Sequence, residues 1–235
     1  MLEVSHLKVF IGGNEILRDI SLGVQIGEKV GIIGPNGHGK STTLKTISGL
    51  FTPREGKVVF EGVSIMGFSP RWIVEQGISL VPEGGHLFME MTVLENLLLG
   101  AYSPRASKRK SQNLEKVYSV FPKLRELQRQ KCNSLSGGEL RMASVGRGIM
   151  TSPKLLMLDE PTLGLAPNLV EDMGQKLSEI GKLGTSIILA DENIDLMADF
   201  AQKVYFIENG DIRLEGGTLE VLGSDYVKKT YLGID

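Results

Sequence analysis

The chain has 235 residues, with 26 Lys and Arg against 28 Asp and Glu, a formal charge of −2 and 41% hydrophobic residues. That length suits one substantial core, or one core with a smaller attached subdomain, and the balanced charge excludes the global basic field of a nucleic-acid binder. A single cysteine, Cys132, excludes an internal disulfide and fits a reducing compartment; no stretch has the length and apolarity of a membrane span, and Met1 to His6 lacks a basic region followed by an apolar one, so a soluble, cytoplasmic protein is expected.

In chain order, Leu2 to Val9 and Ile20 to Ile26 alternate in polarity and predict antiparallel strands, the second ending at a Gly27-Glu28 turn. Val30-Gly31-Ile32-Ile33 reads as a buried strand, Gly34-Pro35-Asn36-Gly37-His38-Gly39-Lys40-Ser41 as a glycine-rich loop, and Thr42 to Leu50 as a helix. Val58 to Phe60 and Ile78 to Val81 are further strands, the latter stopping at Pro82 before the polar turn Glu83-Gly84-Gly85. Thr92-Val93-Leu94-Glu95 has the form of a capping box opening a helix to about Tyr102, in which Leu97 to Leu99 are expected in the core. Ser103 to Ser111 reads as a loop, its Lys108-Arg109-Lys110 cluster as a solvated loop or helix start. Leu114, Val117, Tyr118 and Phe121 then recur at helical spacing. Residues 90–150 form a mostly helical subdomain, in which Cys132 is an inert packing residue or simply exposed.

Leu155 to Leu158 is a fully apolar strand running into Asp159-Glu160-Pro161-Thr162. Leu169, Val170, Met173, Leu177 and Ile180 share a helical face, with Gly184 as terminator. Ile187 to Ala190 is another buried strand. Val204 to Glu208 and Ile212 to Glu215 flank the hairpin signal Asn209-Gly210, and Leu219 to Leu232 reads as a helix. Apolar runs alternating with helices predict a central, largely parallel sheet.

Three constellations carry chemistry. The Gly34 to Ser41 loop, between a strand and a helix, can aim backbone N–H groups and a helix dipole at phosphates, with Lys40 reaching the outer phosphates and the Ser41 hydroxyl meeting Mg²⁺. Asp159, at the carboxyl end of a strand, is placed to hold Mg²⁺ directly or through water, and Glu160 to orient or deprotonate an attacking water. In Leu135-Ser136-Gly137-Gly138-Glu139, Ser136 can cap a helix starting at Gly137 while the two glycines leave backbone amides bare for another phosphate.

In this order, the three motifs resemble the ATP-binding subunit of an ABC transporter over essentially the whole chain. The resemblance implies an α/β P-loop NTPase fold of ABC type, one domain over residues 1–235: a RecA-like core with an antiparallel β subdomain (1–89 and 151–235) and a helical signature subdomain (90–150). It implies ATP and Mg²⁺ as ligands. ATP would lie on Gly34, Pro35, Asn36, Gly37, His38, Gly39, Lys40, Ser41 and Thr42 of one subunit, and on Leu135, Ser136, Gly137, Gly138 and Glu139 of another facing it head to tail, in a homo- or heterodimer. Partners would be integral membrane permease subunits holding the protein on the inner face of the membrane, and indirectly an extracytoplasmic solute-binding protein. No nucleic acid is implied.

Val81-Pro82-Glu83-Gly84, Leu163-Gly164-Leu165-Ala166-Pro167 and Tyr231-Leu232-Gly233 are similar to the smaller ATPase of branched-chain amino acid importers, a pattern shared with urea and amide importers. The same resemblance places the permease groove at Glu83 to Met91, where Phe88 and Met89 are expected at the contact.

Three positions depart from the wider family. Glu83 stands where Gln is usual, and a carboxylate there can contact Mg²⁺ or the water. The adenine-stacking aromatic aligns with Ile11; Phe10, one position earlier, either takes that role or is a half-buried strand residue. Glu192 stands where the wider family has a switch histidine. It either acts at the catalytic centre, repelling the γ-phosphate unless protonated or turned away, or points outward. Alternatives to transport-coupled import are a non-transport ABC ATPase, an ATP-binding partner subunit with weak hydrolysis, and an exporter ATPase.

Overall fold

The computed structural model describes residues 1–232; Gly233 of the Tyr231-Leu232-Gly233 motif lies outside them. β1 (Leu2–Ile11) and β2 (Asn14–Val24) form a hairpin that turns at Gly12 and Gly13, both at positive φ. β3 (Lys29–Ile33) leads to α1 (Lys40–Ile47), followed by β4 (Glu55–Phe60) and the short β5 (Val63–Ser64). Next come α2 (Pro70–Gln76) and β6 (Ile78–Val81), then five helices, α3 (Val93–Leu99), α4 (Pro104–Ser107), α5 (Lys110–Val120), α6 (Pro122–Glu126) and α7 (Gly137–Met150). β7 (Leu155–Asp159), α8 (Pro167–Lys182), β8 (Ser186–Ala190) and α9 (Ile194–Phe200) restore the strand–helix alternation. The hairpin β9 (Lys203–Glu208) and β10 (Asp211–Gly217) precedes α10 (Thr218–Leu222) and α11 (Asp225–Leu232).

The strands make one sheet in the order β5-β4-β1-β2-β10-β9-β3-β8-β7-β6. The β5-β4-β1-β2 wing is antiparallel and meets the rest through a single registered pair, Asp211 with Asp19. β9, β3, β8, β7 and β6 run parallel. Side chains alternate across this parallel part. Leu156, Leu158, Ile187, Leu189, Val204 and Phe206 face the helical layer of α3, α5 and α7, whereas Leu155, Met157, Ile188, Ala190, Tyr205 and Ile207 face the β1–β2 wing and α1. Both faces being covered explains why these strands read as unbroken apolar runs. Parallel strands also bring their carboxyl ends to one edge, so the segments after β3, β6, β7 and β8 converge there.

Local chemistry explains where the elements differ from expectation. α1 begins at Lys40, two residues early, because Gly39 at φ +115° starts the helix, and it ends at Ile47 ahead of the left-handed Gly49. Ser103 to Ser111 is not a loop. Ser103 caps α4 with Pro104 in its first turn, and α5 begins at Lys110, the helix-start reading of the basic cluster. The same Ser-Pro signal, Ser69-Pro70, starts α2, which Gly77 closes in a left-handed cap. The C-terminal helix is split at Gly223 and Ser224 into α10 and α11. Cys132 is buried against Asn96, whose amide donates to its sulfur at 3.2 Å, and burial pushes the thiol pKa up.

Candidate functional site

The loop after β3 wraps around two close approaches. A Cβ on Gly34, at φ +151°, would lie 2.0 Å from the Ile207 carbonyl oxygen, and one on Gly39 would lie 2.7 Å from Leu17 Cδ2. His38 ties the loop to the β9–β10 turn. Its Nδ1 accepts from the Asn209 N–H at 3.1 Å and its carbonyl from the Gly210 N–H at 3.1 Å. α1 starts without a side-chain cap and without an acidic residue in its first turn, so its orphan amides and dipole face the loop uncompensated. Lys40, only 3% exposed, folds back on the loop: Nζ donates to the Gly34 carbonyl at 2.7 Å, and to the Pro35 carbonyl and Asn36 Oδ1 at 3.3 Å each.

Asp159 ends β7 directly beside α1. It is 1% exposed, and its Oδ1 accepts from the Ser41 hydroxyl at 2.8 Å while Oδ2 is buried without a hydrogen-bond partner. Burial raises its pKa, the Ser41 hydrogen bond, the charge of Lys45 and a backbone hydrogen bond with Glu83 pull it down, and the charge of Glu83 pushes it up. An orphaned buried carboxylate oxygen costs about 1–3 kcal/mol, more when charged, and a cation would remove that cost. Among the described residues no three His, Cys, Asp or Glu side chains cluster to hold a metal unaided. The donor set of one hydroxyl and one carboxylate therefore suits Mg²⁺, which takes its remaining ligands from substrate phosphates and water.

Glu160 lies at φ 46°, its N–H bound to the Ala190 carbonyl at 2.8 Å. This unusual backbone aims its carboxylate at the loop, where Oε1 is 3.4 Å from Lys40 Nζ. Burial raises the Glu160 pKa against the pull of Lys40, with Glu83 and Asp159 adding to the rise.

After β8, Asp191 is buried, accepts from the Thr162 hydroxyl at 2.6 Å and from the Asn193 N–H at 3.0 Å, and has its pKa raised by burial. Neither Asp191 nor Thr162 stood out as functional in the sequence; the available signal was an acid immediately after an apolar strand, the same one that marked Asp159. Glu192 does not simply point outward. Although exposed, its Oε2 accepts from Asn36 Nδ2 at 2.9 Å, so its carboxylate is held against the Gly34 to Ser41 loop. A cavity of about 360 Å³ opens here, lined by Glu160, Thr162, Leu163, Asp191, Glu192 and Asn193.

Other candidates lie apart from this cluster. Ser136 and Glu139 close a capping box at the start of α7, and nothing lies within 4 Å of a Cβ built on Gly137. Phe10 sits half-exposed on β1, with the Arg54 guanidinium 5.1 Å above its ring. Along the Glu83 to Met91 segment, Phe88 is 57% and Met89 42% exposed, and Phe88 borders an apolar cavity of about 370 Å³ that Leu80, Pro82, Leu99, Tyr102 and Arg147 also line. Asn96 and Arg147 pin this segment: Asn96 exchanges hydrogen bonds with the Phe88 backbone, and Arg147 donates to the Gly85 and His86 carbonyls. Leu97 is core, but Leu99 turns toward the cavity, a split of the expected core position.

A family model described as ABC transporter matches residues 17–163. The high-affinity branched-chain amino acid transport ATP-binding protein of Pseudomonas aeruginosa is 35% identical over 99% of this chain and 100% of its own. The lipopolysaccharide export system ATP-binding protein of Haemophilus influenzae is 28% identical over 99% of this chain and 97% of its own. A solved ATP-binding cassette of an ABC transporter in its ADP conformation, 30% identical, has a TM-score of 0.86 and covers 100% of this chain and 99% of that one.

Proposed function

The chain belongs to the ABC transporter family as an ATP-binding subunit, an ABC-type ATPase, and from that premise we propose that it hydrolyses Mg-ATP to drive uptake of branched-chain amino acids or a related small solute through membrane permease subunits. The observation that carries the chemistry is Asp159: a buried carboxylate with one oxygen on Ser41 and the other unpartnered, one residue from Glu160.

In this reading the amides of Gly34 to Ser41 and the α1 dipole bind the phosphates, and Lys40 leaves its carbonyl partners for the outer phosphates. Ser41, Asp159 and Glu83 would hold Mg²⁺, which would supply charge neutralisation at the phosphates. Glu160, kept basic enough by burial yet anchored by its own N–H, orients or deprotonates the attacking water. A second subunit brings Leu135 to Glu139 to the same nucleotide, where the open Gly137 leaves room for it. Closure around ATP is passed to a permease seated on the Phe88 and Met89 groove, holding the chain on the inner face of the membrane. No helix of the described residues is long and apolar enough to cross a membrane itself.

The import assignment rests on the likeness to branched-chain amino acid transport ATPases; the likeness to lipopolysaccharide export ATPases supports export as the second reading. Purified chain should release phosphate from Mg-ATP while Lys40→Ala and Glu160→Gln do not, and a vesicle-reconstituted complex with its permease should show ATPase stimulated by a branched-chain amino acid. An active ATPase that lipopolysaccharide stimulates and amino acids do not would transfer the protein to export. Inactivity of the native chain together with its permease would overturn the ATPase assignment.

A further inference from the structure

Resting on the ATPase reading, the geometry points to Glu192 as a charge gate at this nucleotide site, held in place by Asn36, that weakens binding of ATP relative to ADP. The basis is a chain of contacts joining two loops distant in sequence. Asn36 divides its amide: Nδ2 donates to Glu192 Oε2 at 2.9 Å, and Oδ1 accepts from Lys40 Nζ at 3.3 Å. Lys40 in turn lies 3.4 Å from Glu160 Oε1. The Glu192 carboxylate is therefore one carboxamide away from the ammonium that must receive the terminal phosphate.

Charge counting around that ammonium favours the gate. Glu160, Asp191 and Glu192 line the same cavity of about 360 Å³, with no cation among its lining residues. Glu160 and Asp191 are buried and have their pKa values raised, and each has a compensating partner, Lys40 for the first and the Thr162 hydroxyl for the second. Glu192, by contrast, accepts its hydrogen bond from a neutral amide. A γ-phosphate drawn to Lys40 must displace Asn36 Oδ1 from it and bring further negative charge toward Glu192. ADP lacks that group and leaves the Asn36–Glu192 contact intact. The exposure of Glu192 gives it a way out, since its side chain can turn into solvent when ATP arrives. The bond to Asn36 is what holds it in place beforehand.

The gate would make the ATP-bound state of the lone subunit costly, leaving the facing subunit to supply the missing stabilisation. Like charges a few ångströms apart in a partly desolvated site change affinity by about tenfold or more, and salt screens exposed charges.

The test is the affinity of the purified chain for Mg-ADP and for the Mg complex of a non-hydrolysable β,γ-imido ATP, before and after Glu192→Gln. Gln keeps an oxygen to accept from Asn36 and removes the charge. The native chain should prefer ADP by about tenfold at low salt, and Glu192→Gln should raise affinity for the ATP analogue by about tenfold while leaving ADP within about twofold. Added NaCl should change the preference of the native chain more than that of the variant, by the screened contribution of Glu192, which a purely structural role for Glu192 would not produce. Equal affinities in the native chain, or parallel changes for both nucleotides in the variant, would overturn the gate while leaving the ATPase assignment standing. Binding of neither nucleotide by the native chain would overturn both.

Discussion

Two glycine-rich helix starts divide the chemistry of this chain, and they are built in opposite ways. At α7 the fold completes itself: Ser136 accepts from the Glu139 N–H and Glu139 returns the favour to Ser136, so an acid of the chain already sits over the positive end of the helix. At α1 a left-handed Gly39 stands where the cap would be, no acid follows, and the nearest compensation is Lys40 turned back on three loop oxygens. An uncapped start beside a buried carboxylate is unfinished in the way that the proposed phosphate and metal would complete, whereas a capped one is already a stable surface that can be presented to another molecule.

Substitutions that remove the missing pieces should therefore act on nucleotide chemistry at α1 and only on stability at α7. The largest effect is expected for Lys40→Ala, which removes the cation proposed to meet the outer phosphates and leaves Glu160 buried without its Lys40 partner. Phosphate release should fall by about 10³-fold or more, and ATP affinity should fall with it in a binding titration. Next is Glu160→Gln, which preserves the shape and an oxygen facing Lys40 but removes the proposed base. Turnover should drop by about 10²-fold or more with nucleotide affinity retained, so single-turnover experiments should show bound, uncleaved ATP.

How far these contrasts could be read from the sequence depended on whether their partners were close in the chain. The Gly34 to Ser41 spacing, the Thr92-Glu95 and Ser136-Glu139 boxes and the Asn209-Gly210 turn are local signals, and each named its element directly. Helices α2 and α4 carry an equally local Ser-Pro start, yet their polar surroundings and few apolar residues made them read as loop or pass unnoticed. Contacts across long separations left no trace. The Thr162–Asp191 pair spans 29 residues, the clasp of His38 on Asn209 spans 171, and the Asn36–Glu192 bond spans 156. Glu192 could be flagged as a departure but not oriented, since nothing within its own loop says which way an acid after β8 will turn.

Asp159→Asn sharpens the comparison through stability rather than rate. Its raised pKa means that the folded chain holds a proton more tightly than the unfolded one, as it does at Glu160 and Asp191. Stability contributed by the protonated forms is complete below the ordinary carboxylate range and is lost as pH rises through the raised folded values. Nucleotide-free protein should accordingly lose melting temperature as pH rises above that range. Asp159→Asn should flatten the loss and melt higher at neutral pH, and it should lose the further stabilisation that Mg-ATP gives the native chain, all visible in thermal melts at several pH values. A variant that melted lower than native, at every pH, would mean that Asp159 is already satisfied in the free protein.

The smallest effect belongs to the finished helix start. Ser136→Ala breaks the capping box and should cost about 1 kcal/mol, or about 2–4 °C in melting temperature for a chain of this size. Because Ser136 is far in the chain from the α1 loop and its helix start is satisfied internally, ATP affinity of the lone subunit should stay native in the same titration that detects Lys40→Ala. The loss should surface only where two subunits share a nucleotide, as lower turnover at concentrations that permit pairing. If Ser136→Ala instead weakened ATP binding in dilute, unpaired protein, the two helix starts would be parts of one site within a single chain, and the division between an unfinished and a finished end would not hold.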